Sequence, residues 1–392
     1  MVRYTGVHYH RIDNANTFIM PPYQSTAAPR RRSLETAGMW ALLITLVAAL
    51  FIFIPSVSIP FTTTKTFVLA AGALITLALY ILARLGRGNI IFPPLALIGA
   101  LWLPALAYAL SAVFSGLPFT QTLFGSALEP DTLGFILAAT VLGTMAALVL
   151  RRPEQYRSFL RAGVWAFVAL VALEALIVVV GQFTPETISP AFSIVGSVSD
   201  LAFVLGLGVI GVLIALRELE VSARSRQALL ISGAGALFLL AVANSSLVWI
   251  LLALVSLGLF VESVMRRGSH RTDADLEDVA VIDEEPLAPE EGNRSLVLQL
   301  AVLAVSLFFL LGGALGGALA RALNVNELNV RPSWQSTYLV ASKAFSTTPV
   351  FGTGPGTFGT EWLKHRDASL NETVFWNIDF SSGIGFIPTS AV

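Results

Sequence analysis

The chain has 392 residues, of which 55% are hydrophobic and only 12% are charged. This is about half the charged fraction, roughly 25%, of a typical soluble domain. Together with a mean hydropathy of +0.75, it excludes a soluble enzyme and a disordered chain. The formal net charge of −1 excludes a basic nucleic-acid-binding protein, so we expect no nucleic-acid partner. The absence of cysteine excludes disulfides, iron–sulfur clusters, thiolate zinc sites and cysteine nucleophiles. The remaining class is a polytopic membrane protein.

Nine apolar stretches come close to the roughly 20 residues that a helix needs to cross a bilayer. They are residues 39–60, 66–84, 90–113, 132–150, 162–182, 200–216, 227–243, 246–265 and 296–319. The polar turn Asn244-Ser245-Ser246 divides one long apolar run into two of them. Residues 383–392 are also largely apolar and predict the start of a truncated tenth span. We therefore expect an all-α polytopic membrane protein with about nine transmembrane helices, the start of a tenth, and a large, partly helical exterior loop.

The charged and apolar segments divide the chain into six parts. These are an N-terminal cytoplasmic tail (1–38), a bundle of eight transmembrane helices (39–265), an acidic disordered cytoplasmic linker (266–294), the ninth transmembrane helix (295–319), an exterior loop (320–382) and the start of the truncated helix (383–392). The linker is predicted to be disordered because it holds nine acidic residues and two prolines.

The basic residues predict the orientation of the bundle. If Arg30, Arg31 and Arg32 lie in the cytoplasm and the nine spans alternate, 18 of the 24 basic residues fall on the cytoplasmic side. The exterior loops 114–131 and 183–199 have none. A multi-pass protein with a cytoplasmic N-terminus follows from this pattern.

Six basic residues depart from the pattern. Lys65 is at a membrane edge, where a lysine commonly anchors a helix. The other five share one exterior segment; they are Arg321, Arg331, Lys343, Lys364 and Arg366. A basic exterior loop indicates an anionic ligand, although long loops also carry ordinary surface charge.

Two features within the spans allow more than one interpretation. Glu174 lies deep in the fifth span, where a carboxylate is either a proton or cation site of a secondary transporter or a polar contact within the bundle. Gly312-Gly313-Ala314-Leu315-Gly316-Gly317 contains two overlapping GxxxG patterns, which are typical of close helix packing.

The exterior segment begins with a predicted helix over residues 333–346, in which Trp334, Tyr338, Ala341 and Phe345 share one face and Ser333 is a suitable N-cap. A glycine-rich turn follows. Its pattern Gly354-x-Gly356-x-x-Gly359 matches a dinucleotide fingerprint, but that fingerprint requires a preceding strand. The pattern favours a turn in which glycine lets the backbone approach a ligand or a helix closely.

These residues resemble a known signature. Arg331-x-x-Trp334, the amphipathic helix and then Pro349-Val350-Phe351-Gly352-Thr353-Gly354-Pro355-Gly356 are similar to the motif of the O-antigen ligase and O-antigen polymerase superfamily of bacterial membrane glycosyltransferases. The multispan core before the loop is also similar, including exterior segments 125–131 and 196–200. The chain departs from the pattern in lacking the late His-Asn pair and the further spans of that family.

The resemblance implies a reaction and a location in the bacterial cytoplasmic (inner) membrane, in cell-envelope polysaccharide biosynthesis. An acceptor hydroxyl on a glycolipid, a glycan or a protein attacks a glycan linked to polyprenyl pyrophosphate, with membrane lipids around the enzyme and no nucleotide, metal or other cofactor.

The resemblance also implies roles for residues of the exterior segment. Arginine suits the leaving pyrophosphate because it is always charged and donates two hydrogen bonds in parallel. Arg331 is the first catalytic candidate and His365 is the candidate general base, with Glu361, Asp367 and Glu372 as alternatives. The expected substrate-binding residues are Arg366, Lys364, Lys343, Arg321, Gly354, Gly356 and Trp334.

Overall fold

The computed structural model describes residues 29–54, 60–85, 92–125, 129–219, 221–274, 289–325, 332–367, 372 and 376–392. These residues form fourteen helices and contain no strand. The helices are α1 (Pro29–Phe51), α2 (Phe61–Arg84), α3 (Leu95–Phe114), α4 (Phe119–Phe124), α5 (Leu133–Val149), α6 (Pro153–Phe183), α7 (Val198–Glu218), α8 (Ala223–Ala243), α9 (Ser246–Ala274), α10 (Pro289–Leu311), α11 (Gly313–Ala322), α12 (Trp334–Thr347), α13 (Phe358–His365) and α14 (Phe386–Ser390).

The all-helical polytopic class is confirmed, and the number of spans differs slightly from the nine predicted. Among the described residues, seven helices are long and apolar enough to cross a membrane: α1, α2, α3, α6, α7, α8 and α9. The bent pair α10 and α11 forms an eighth candidate, and α5 is apolar but only 17 residues long. The predicted boundary at Asn244 is correct, because this residue ends α8 in the left-handed conformation with φ of 49°.

The prediction of one continuous helix over residues 296–319 is wrong. The chain bends by 84° at Gly312, between α10 and α11. Glycine residues allow this break because they add no side chain and restrict the backbone least. The close packing predicted for the GxxxG patterns holds at Gly316, where a Cβ atom would lie 2.3 Å from Oδ1 of Asn244 and 2.9 Å from the carbonyl oxygen of Ala241.

Three predicted boundaries also move. The first span ends at Phe51 and not at residue 60. Near this helix end, Nζ of Lys65 donates hydrogen bonds to the carbonyl oxygens of Ala49 (2.7 Å) and Leu50 (3.1 Å). The first helix begins at Pro29, inside the predicted N-terminal tail. Both ends of the linker predicted to be disordered, 266–294, are helical, because α9 continues to Ala274 and α10 starts at Pro289. Residues 275–288 lie outside the described residues.

The main core lies among α6, α7, α8, α9 and α10. Its fully buried side chains are Leu170, Leu205, Leu240, Trp249 and Leu252. Trp249 stacks on Phe309 with ring centroids 5.1 Å apart, which ties α9 to α10. A second group of helices, α1, α2 and α5, packs around smaller buried clusters, and α3 packs on α5. Large apolar side chains also cover the outer surface, as expected for helices that face lipid.

Candidate functional site

Helix α12 lies in segment 320–382, and its predicted position is correct within one residue. The hydroxyl of Ser333 accepts a hydrogen bond from the backbone N–H of Ser336 at 3.0 Å, as an N-cap does. The helix buries Thr337, Val340 and Ala344. The face that carries Trp334 and Tyr338 points outward, with these side chains 63% and 75% exposed. This aromatic face lines an open groove of about 480 Å³ beside Pro388.

The glycine-rich turn follows α12 and requires glycine at three positions. Gly352, Gly354 and Gly356 have φ values of +66°, +117° and +71°, which L side chains rarely adopt. Gly354 also packs against the end of α3, where an added Cβ atom would lie 2.7 Å from Cβ of Ser115 and 2.9 Å from Cδ1 of Leu117. The predicted close approach of backbone at this turn is therefore an approach to α3.

Two contacts hold the turn on α3. The hydroxyl of Ser111 donates a hydrogen bond to the carbonyl oxygen of Phe351 at 2.7 Å. The rings of Phe114 and Phe351 stack with their centroids 4.2 Å apart. A hydrogen bond within the turn also stabilises it, because the hydroxyl of Thr357 donates to the carbonyl oxygen of Gly354 at 2.7 Å.

The turn, α3 and the end of residues 383–392 enclose a cavity of about 300 Å³, which we call the turn cavity. Its polar lining includes Tyr108, Ser111, Asp131, Thr357 and Ser390. The glycines of the turn form one of its walls. A cavity of this size is at the lower end of the range for small-ligand sites.

Asp131 is a titratable group of the turn cavity, and its pKa is strongly shifted. The residue is only 7% exposed and lies just before α5, which begins after the N-cap Thr132. The pKa of the Asp131 carboxyl is raised to about 6, chiefly by burial and also by the neighbouring charge of Glu129, against a smaller lowering by a backbone hydrogen bond. A carboxyl with a pKa near neutrality can accept and release a proton under physiological conditions.

Helix α13 carries a second group, the Glu361 cluster, defined as Glu361, Lys364 and His365. Glu361 is 4% exposed, and its Oε1 accepts a hydrogen bond from Nζ of Lys364 at 2.6 Å. Its Oε2 lies 3.3 Å from Nε2 of His365. The spacings i, i+3 and i, i+4 place all three side chains on one side of the helix. Trp362 packs on Phe358 and Phe380 and anchors the same helix in a small core.

The structure brings together some of the residues predicted from the sequence. Gly354 and Gly356 line the turn cavity, and Lys364 and His365 meet at Glu361. Arg366 follows directly, with Nη1 donating to the carbonyl oxygen of Trp376 at 3.1 Å.

The remaining predicted site residues lie elsewhere. Lys343 is exposed on α12, Arg321 is exposed near the end of α11, and Trp334 is exposed in the outer groove. None of these three lines the turn cavity. Arg331 lies outside the described residues.

No role for Asp131 was predicted from the sequence. The residue ends segment 125–131, directly before an apolar span. A carboxylate at that point is a recognisable signal. Asp131 lines one cavity together with a turn more than 200 residues later in the chain.

Glu174 forms contacts of a structural kind. It is buried in α6, and its Oε1 accepts hydrogen bonds from the Ser193 hydroxyl at 2.9 Å and the Ile194 backbone N–H at 3.0 Å. These bonds fasten the loop between α6 and α7 to the bundle. The small cavity beside Glu174 measures about 20 Å³, room for about one water molecule.

The described residues contain no group of three histidine, aspartate or glutamate side chains that could hold a metal ion. Comparison with protein-family models, curated proteins and solved structures finds no match to this chain. The chemistry of the site therefore rests on the residues themselves.

Proposed function

We propose that the protein is a membrane glycosyltransferase of the O-antigen ligase or polymerase type. It would transfer a glycan from polyprenyl pyrophosphate to an acceptor hydroxyl at the outer face of a bacterial cytoplasmic membrane. The observation that carries the proposal is the turn cavity. The glycine-rich turn that resembles the family signature forms its wall, and Asp131, with a pKa of about 6, lies in its lining.

In this proposal Asp131 is the general base. Its carboxylate takes the proton of the acceptor hydroxyl as the hydroxyl oxygen forms a bond to the anomeric carbon of the donor glycan. The bond from that carbon to the pyrophosphate oxygen breaks, and the pyrophosphate leaves with the electron pair. A base positioned in this way typically contributes 10²- to 10⁴-fold to a rate.

The leaving pyrophosphate needs cationic partners as its charge develops. Lys364 belongs to the Glu361 cluster, and Arg366 follows it directly in the chain. Arg331 precedes α12 in sequence. Glu361 is a positioning residue, because its two oxygens hold Lys364 and His365. His365, the base predicted from the sequence, is the competing candidate for proton transfer.

Complementation tests this function. The full-length gene is expressed in a panel of bacterial strains that each lack one surface-glycan ligase or polymerase, and lipid-linked glycan is followed on gels. Wild-type protein should consume lipid-linked glycan in at least one strain, and Arg331→Ala should not. The control Glu186→Gln removes an exposed exterior carboxylate outside the turn cavity and should behave like wild type. Equal membrane levels are verified by immunoblot. Persistence of the lipid-linked glycan in every strain would contradict the proposal.

Two observations favour a secondary transporter as the alternative function. Helix pairs broken in the membrane, such as α10 and α11, are typical of transporters. Oε2 of the buried Glu174 has no hydrogen-bond partner among the described residues. Proteoliposomes would show ion or proton uptake that Glu174→Gln abolishes and Glu186→Gln leaves intact. Glycan transfer by the Glu174→Gln protein at the wild-type rate would instead support the transferase.

A further inference from the structure

A second cavity lies at the other end of α5 from the turn cavity, and it has the opposite charge character. It measures about 240 Å³ and is formed where the ends of α1, α2, α5 and α6 meet. Its polar residues are Glu35, Tyr80, Arg84, Arg151, Arg152 and Gln155, which we call the arginine pocket. The distribution of basic residues predicts that this end of the bundle faces the cytoplasm.

Positive charge prevails in the arginine pocket. Among the described lining residues there are three arginines and one carboxylate, and Nη2 of Arg84 lies 3.6 Å from Oε1 of Glu35, which is a loose ion pair. The positive end of a long helix adds to this field, because α6 begins at Pro153, directly after Arg152.

Two buried donors in the arginine pocket lack acceptors. Tyr80 is 7% exposed, and its hydroxyl has no hydrogen-bond partner within the described part of the chain. The same holds for Nε of Arg84, whose guanidinium lies 5.4 Å from the centroid of the Tyr80 ring. Buried donors without acceptors cost free energy, so a ligand with several acceptor oxygens would satisfy them.

We propose that the arginine pocket binds a phosphate group, carried by the headgroup of an anionic phospholipid. Phosphate offers oxygens on several sides and matches the planar guanidinium. The apolar side chains of Leu34, Leu148 and Val149 line the same cavity, which suits a ligand that continues into acyl chains. Basic pockets between transmembrane helices on the cytoplasmic side bind anionic lipid headgroups in this way. The inference is independent of the glycosyltransferase proposal.

The test measures lipid binding by the purified full chain in detergent, with thermal unfolding as the readout. Phosphatidylglycerol is titrated against phosphatidylcholine, and sodium phosphate is titrated separately. Arg151→Gln/Arg152→Gln removes two charges from the pocket. Arg157→Gln/Arg161→Gln removes two exposed charges from the first turns of α6, outside the pocket. Phosphatidylglycerol should stabilise the wild type more than phosphatidylcholine does. The half-saturating concentration should rise about 20-fold in the pocket variant and stay within about twofold in the control.

Tyr80→Phe is a further test, and it should perturb folding little because it removes only the hydroxyl group. If a phosphate oxygen accepts from the hydroxyl, this variant should bind phosphatidylglycerol about fivefold more weakly. If nothing accepts from it, removal of the hydroxyl leaves the binding unchanged.

The outcomes separate the possible ligand sources. Stabilisation by sodium phosphate alone, lost in the pocket variant, would support a phosphate site whose ligand is soluble. Equal weakening in both double variants, or equal stabilisation by both lipids with no effect of sodium phosphate, would overturn the proposal.

Discussion

The turn cavity and the Glu361 cluster each contain a buried carboxylate, but the two carboxylates have opposite surroundings. Asp131 has a raised pKa because burial and the charge of Glu129 both disfavour its ionised form. Glu361 instead contacts two basic side chains, Lys364 at 2.6 Å and His365 at 3.3 Å. A carboxylate with a raised pKa suits proton transfer, whereas one held between basic groups suits their positioning. The comparison therefore separates the acid–base role from the role of holding cations.

The largest expected effect is on the rate of glycan transfer. Asp131→Asn should lower the rate by about 10²- to 10⁴-fold, because the amide cannot accept the proton. Glu361→Gln should lower it by about tenfold or less, the effect of a positioning residue and not of the base itself. The assay follows consumption of lipid-linked glycan by purified protein. Glu186→Gln is the matched carboxylate control.

The pH dependence of the same reaction sharpens this comparison. The base must be ionised to act, so the wild-type rate should rise as the pH increases through about 6, the pKa of Asp131. Asp131→Asn should lose this rise. If His365→Ala removed the rise of the rate with pH and Asp131→Asn kept it, His365 would be the general base in place of Asp131.

The second-largest expected effect is a loss of stability when a glycine in the wall of the turn cavity is replaced. Gly354→Ala places a Cβ atom 2.7 Å from Cβ of Ser115 at a φ of +117°, so it should lower the free energy of unfolding by about 2–4 kcal/mol. Thermal unfolding in detergent measures this loss. Gly211→Ala is the matched control, because nothing lies within 4 Å of its added Cβ and alanine favours a helix. A Gly354→Ala protein as stable as the control would show that the close approach to α3 is not required.

Much of the fold could be predicted from the sequence, because hydropathy reports directly on which helices face lipid. The left-handed Asn244 and the N-cap Ser333 were predictable from local chemistry. The break at Gly312 was not, since a glycine pattern in an apolar run is compatible with both a straight and a bent helix. Its bend depends on the packing of α11 against α8 around Asn244.

The candidate site was predictable only in part, for a similar reason. Lys364 and His365 follow Glu361 by three and four residues on one helix, so their contacts with it follow from local spacing. The turn cavity is built by distant segments, since Ser111 and Phe351 lie 240 residues apart in the chain. The cavity that Asp131 lines is formed by these distant segments, and this arrangement has no local signal in the sequence.

The third effect is on the pH dependence of stability, which tests the raised pKa of Asp131 independently of glycan transfer. Its folded-state pKa is raised from 3.8 to about 6, so the folded protein holds this proton over a pH range in which the unfolded chain has lost it. Stability therefore falls as the pH rises from about 4 to about 6, by at most about 3 kcal/mol. Asp131→Asn should unfold at a higher temperature than the wild type at pH 7.5 and at a similar temperature at pH 4. If the variant is equally or less stable at both pH values, the buried charge is not costly.

The smallest effect separates the hydrogen bond from the aromatic stack that holds the turn on α3. Ser111→Ala removes the 2.7 Å bond to the carbonyl oxygen of Phe351 and leaves the Phe114–Phe351 stack intact. The expected loss is about 0.5–1.5 kcal/mol, since the bond is exposed to solvent and water can replace it. Ser346→Ala is the control, because the hydroxyl of Ser346 donates within its own helix turn, to the carbonyl oxygen of Lys343. If Ser111→Ala lowers the unfolding temperature no more than this control, the aromatic stack and the glycine packing hold the turn by themselves. The Asp131 carboxyl should then keep its raised pKa in the variant, which a pH titration of stability measures.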